Sequence, residues 1–179
     1  MTEYYGDDYL KYNELVINIS KEFPRFKVVP KDESFFMRAL YAVTLMTFWN
    51  KSFMTNYITA VFGKVYMPRR LIGTAIGYDV LRHELVHLRD ARRWPVLFEL
   101  SYLFFPLPFV FTMRAYWEYR GYCESMIAER DRYGYINKAV IEYYISLFSS
   151  SEYLWMFPFP NFLRKKFYAF LERHNTTIK

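Results

Sequence analysis

The chain has 179 residues and a formal charge of +6, with basic residues scattered among acids, so no nucleic-acid partner is expected. Just over half of it is apolar, with eighteen Phe, eighteen Tyr and four Trp, which is enough to bury a core and excludes a disordered chain. The single cysteine, Cys123, excludes an internal disulfide and a multi-cysteine metal site, and is expected to be a small buried residue.

The first twenty residues carry Asp7, Asp8, Lys11 and Glu14 in place of an apolar run, so no secretory signal is expected there. Residues 14–23 place Leu15, Val16, Ile19 and Phe23 at helical spacing, predicting a short amphipathic helix that Pro24 stops. A brief strand is expected over Phe26 to Val29. Asp32 is a candidate cap for a helix starting near Glu33, whose run FFMRALYAVTLMTF is apolar nearly all round and predicts a central, buried element. Residues 54–67, rich in β-branched and aromatic types around Gly63, read as two short strands, a hairpin ending at Pro68.

A helix is then predicted from about Leu71 to Arg92, ending before Pro95. Pro95 to Met113 is strongly apolar, but Glu99, Pro106 and Pro108 argue against a membrane span. A buried segment, a substrate-side wall or a face lying on a membrane are the remaining readings, so peripheral membrane contact is an expected partner class. Further helices are predicted over Thr112–Arg132, stopped by Gly134, and near Asn137–Phe148 and Asn161–Arg173. An aromatic loop lies between the last two. One α+β domain spanning 1–179, mostly helical, accounts for this order.

The chemistry concentrates in the Leu71–Arg92 helix, where His83, Glu84 and His87 form H-E-x-x-H. Two histidines one helical turn apart can reach one ion, and they are two of only three in the chain. Glu84 is rotated about 100° from His83 by the helical repeat, which aims it at a water activated by the ion rather than at the ion. Zinc is the expected cofactor, with Glu84 as the general base in hydrolysis of a peptide bond.

A catalytic zinc takes three protein ligands. An extended motif with Gly at 90 and His at 93 is excluded, since those positions hold Asp90 and Arg93. His174 sits in a polar tail and reads as a solvated helix-end residue. The third ligand is therefore expected to be a carboxylate. Glu118, Glu124 and Asp90 are the candidates, with Glu118 favoured by its aromatic surroundings and by Arg114 one turn before it. Asp90 is better placed to hold an imidazole N–H or an arginine. Tyr119, Tyr122, Arg114 and Arg120 are candidate oxyanion donors.

HELVH followed some thirty residues later by WEYRGY resembles the gluzincin family of zinc metallopeptidases. The likeness is to small minimal gluzincins and to uncharacterised peptidases of bacteria and their phages. It covers about residues 53–125; it departs from the membrane-peptidase form at Gly121 and Tyr122, and Arg120 replaces the acidic residue of the E-x-E form. The resemblance implies a zincin-like fold, His83, His87 and Glu118 as zinc ligands, and Glu84 as general base. It also implies that Tyr57–Val61 or Lys64–Met67 is an edge strand along the cleft, pairing with an extended peptide or protein substrate. A cytoplasmic location is expected, with membrane or virion association as the alternatives. The competing expectation is a non-catalytic zincin-like protein that binds a protein or a membrane through a structural site.

Overall fold

The computed structural model describes residues 3–48, 53–55, 58–61, 63–103, 108–150 and 155–179. The chain is α+β and mostly helical, with one three-stranded sheet. It packs as two compact units, Met1–Glu84 and Leu85–Lys179, and the division falls inside a single continuous helix.

The first unit begins with α1 (Glu3–Glu22), longer at its start than the apolar spacing predicts. Its early turns set Asp7 and Asp8 among tyrosines, with Lys11 and Asp7 paired at 2.6 Å one turn apart. Tyr12 and Ile19, two turns apart, are the residues it buries. Then come β1 (Lys27–Pro30), α2 (Phe35–Phe48), β2 (Thr59–Val61) and β3 (Lys64–Met67). β3 is the middle strand, parallel to β1 and antiparallel to β2. Gly63 joins β2 to β3 at φ +74°, a left-handed value open to glycine without steric cost.

Two expectations for this unit are corrected. The side chain that caps α2 is Ser34, whose Oγ accepts the Met37 N–H at 3.2 Å. Asp32 instead lies in a single 3₁₀ turn and accepts a hydrogen bond from Arg69 at 3.2 Å. Nor is the start of α2 buried all round: Phe35 is 79% exposed and Phe36 46%. Met37, Leu40 and Tyr41 form the packed face, against Phe53 and Tyr66. A helix lying on a small sheet has only one stripe covered, whatever its composition.

α3 (Ala75–Arg93) follows a 3₁₀ turn at Arg69–Leu71. Thr74 caps it, its hydroxyl accepting the Gly77 N–H at 3.0 Å. Gly77 is required by close approach, since a Cβ there would stand 1.9 Å from the Leu71 carbonyl oxygen.

The second unit holds the end of α3, then α4 (Pro95–Leu103), α5 (Pro108–Tyr133), α6 (Lys138–Ser149) and α7 (Pro160–Arg173). Pro106 falls among residues 104–107, outside those described. Gly134, at φ +76°, ends α5, and the Asn137 side chain caps α6 by accepting the Ala139 N–H at 2.8 Å. The core lies among α5, α6 and α7, where Tyr122, Met126, Ile141, Ile145, Phe148 and Phe167 are buried. The Tyr122 ring is stacked on Tyr144 at 4.7 Å, and Phe148 meets Phe167 edge-on. Among the described residues, no helix is long and apolar enough to cross a membrane.

Candidate metal centre

α3 carries the histidines. Leu81, fully buried, fixes the inward face of the helix, and one turn of backbone separates His83 from His87. α5 carries Glu118, held inward by buried neighbours Ala115, Trp117 and Tyr122. One ligand atom each from His83, His87 and Glu118 comes within 4.8 Å of the other two. His87 Nε2 lies 3.8 Å from Glu118 Oε2. Ligand atoms of a tetrahedral zinc, each about 2.0–2.1 Å from the ion, stand roughly 3.3 Å apart, so small side-chain rotations would bring this set to that spacing. Two imidazoles and a carboxylate are also a donor set that zinc takes at hydrolytic sites. The residues present fit the ion.

Burial sharpens the point. His87 and Glu118 are each 6% exposed, and Glu84 is 9% exposed. Acids are seldom sequestered in this way unless paired or bound to a metal. α4 closes this side of the site. Phe98 packs its ring 5.9 Å from that of His87 and 5.7 Å from that of Trp117. Trp117 Nε1 in turn donates to Ser101 Oγ at 3.2 Å, which locks α4 onto α5.

Asp90 and Glu124 do not belong to the group. Asp90 is 3% exposed and lies 3.0 Å from Arg120 Nε, so it holds an arginine and is not a surface charge. Burial raises its carboxyl above the ordinary range, while Arg120 and His87 pull it back down. Glu124 lines a pocket on another face of α5, with Arg120, Arg130 and Arg173. His174 is exposed at the end of α7, its Nδ1 2.8 Å from the Phe170 carbonyl oxygen. Cys123 is buried, and burial pushes its thiol up to about 12, so it stays protonated at neutral pH.

Of the candidate oxyanion donors, Tyr122 is core, Arg120 pairs with Asp90, and the Tyr119 hydroxyl donates to the Lys166 carbonyl at 3.3 Å. β3 is corrected as a substrate-pairing strand: both of its edges are taken, by β1 and β2. β2 is an edge strand of the sheet; Tyr57 lies outside the described residues. Phe98, Ser101 and Trp117 were not singled out from the sequence. Their role arises from the packing of α4 on α5, and the only local signal is the spacing of Phe98 and Ser101 on one helical face.

No family model, curated protein or solved structure matches the chain, so the chemistry of the site is read from its own residues.

Proposed function

We propose that the chain is a zinc-dependent peptidase with a zincin-like active site, resembling the gluzincins. The observation that carries this reading is the convergence of His83 and His87 on α3 with Glu118 on α5. Among the described residues the group comprises three ligands, and a catalytic zinc has three protein ligands with one position left open. A structural site, by contrast, is closed by a fourth.

When bound, zinc supplies Lewis acidity, polarising a substrate carbonyl and easing ionisation of water towards about pH 7. Within this chain, His83, His87 and Glu118 hold the ion. Glu84 takes the proton released as water attacks the carbonyl carbon, and hands it to the departing amine. Phe98 keeps bulk water off the His87 ring and fixes its orientation. Asp90, anchored to Arg120, places a negative charge near His87 and favours its binding to a cation.

Metal content and hydrolysis of an unstructured protein substrate, measured together, test the reading. The wild type is expected to hold one zinc per chain and to lose activity with a chelator. Glu84→Gln is expected to keep the zinc and lose nearly all activity, whereas Glu118→Gln loses both. Folded wild-type protein without stoichiometric zinc would sink the proposal. Zinc retained with no hydrolysis of any peptide would favour the non-catalytic alternative.

A further inference from the structure

α4 presents two unlike faces. Phe98 and Ser101 point inward against α5, as their contacts with Trp117 establish. On the other side Val96 is 70% exposed, Leu97 37% and Leu100 40%. Helical spacing puts these three within about 100° of arc, so they form one contiguous apolar stripe. Trp94, 49% exposed, stands just before α4. Immediately before it, Arg92 and Arg93 end α3 and are both exposed. Arg93 lies with its guanidinium carbon 5.8 Å from the Trp94 ring centre.

We propose that this face, the apolar stripe of α4 with Trp94 and the arginines ending α3, docks on the surface of an anionic lipid bilayer. The argument for lipid over protein is charge complementarity. A helix lying in the headgroup region joins an apolar stripe to cationic residues, with tryptophan at the boundary. The chain as a whole carries +6, which adds a long-range attraction to acidic headgroups. Nine residues of helix span about 13 Å, less than half of a hydrocarbon core of about 30 Å, so α4 lies along the surface and does not cross it. Exposed Glu99, on the far side of the stripe from Leu97, limits the depth of entry. The proposal is independent of the metal centre and stands whether or not the site is catalytic.

The full chain is tested by co-sedimentation with vesicles of phosphatidylcholine alone or mixed with phosphatidylserine. Binding is expected to the mixed vesicles and to weaken with added salt. Val96→Ser with Leu100→Ser should weaken binding at least about tenfold by removing apolar surface that the lipid covers. Arg92→Gln with Arg93→Gln should weaken it about fivefold per charge. Both pairs are at exposed positions, so circular dichroism and Tm should stay close to wild type, which separates lost binding from lost folding. Failure to bind mixed vesicles overturns the proposal, as does equal binding to neutral vesicles with no effect of the arginines. Self-association abolished by the serine pair, without vesicle binding, would assign the face to a second copy and overturn it equally.

Discussion

Lys31 offers a perturbation whose size can be worked out from its surroundings. It is 1% exposed, donates from Nζ to the Phe53 carbonyl at 2.8 Å, and sits 3.8 Å above the centre of the Phe53 ring. Burial lowers its ammonium from the ordinary 10.5 to about 8. A base whose folded-state pKa is depressed favours unfolding while both states are protonated. The unfolded chain holds the extra proton between about 8 and 10.5, so stability rises with pH across that window. The full difference corresponds to about 3 kcal/mol, which residual solvent screening reduces to about 2 kcal/mol. A little over half of that, ~1 kcal/mol, is recovered between about pH 7 and 9.5. Replacing Lys31 by Met removes the titration and keeps most of the volume. Urea unfolding of wild type and Lys31→Met across this range is the assay, read as the difference in stability between the two proteins. Tyr12 and Cys123, which burial raises to about 12, titrate alike in both and cancel. The difference should move in favour of the wild type by ~1 kcal/mol as pH rises. A difference that stays flat would refute the burial argument for Lys31.

Other substitutions probe what positions the motif helix and the second unit. Gly77→Ala places a methyl group 1.9 Å from the Leu71 carbonyl oxygen, a backbone atom that cannot swing aside. Overpacking of about 1–3 kcal/mol outweighs the gain in helix propensity, and the melting temperature should fall by several degrees. Asn137→Ala removes the cap of α6 and should cost about 1 kcal/mol in urea unfolding. Phe167→Ala empties a fully buried site between α5 and α6, with an expected loss of roughly 3–5 kcal/mol. Arg164→Ala breaks a two-pronged hydrogen bond to Glu142 in a half-exposed setting, so its effect should stay within about 1 kcal/mol.

The local rules of the chain were legible where they are self-contained. Gly63 between two strands and Gly134 as the stop of α5 act through backbone chemistry within a few residues. The pairing of His83 with His87 is of the same kind, because the α-helix itself sets their spacing. What lay beyond the sequence was whatever depends on a distant surface. The long start of α1 mixes Asp7 and Asp8 with tyrosines and gives no periodic signal. The apolar circumference of α2 says nothing of how little of it a three-stranded sheet can cover. Placing β3 in the middle of the sheet needs the parallel pairing of Lys27–Pro30 with Lys64–Met67, a contact across nearly forty residues that no local pattern encodes. The site divides along the same line. Helical geometry alone sets His83, Glu84 and His87 within about one turn of one another, but Glu118, Glu124 and Asp90 are all carboxylates that the sequence leaves open. Only the packing that brings α3 and α5 together places Glu118 beside His87, turns Glu124 towards another pocket and gives Asp90 to Arg120. The reason is physical: a helix fixes the residues one turn apart, whereas tertiary burial decides which distant charge must face them.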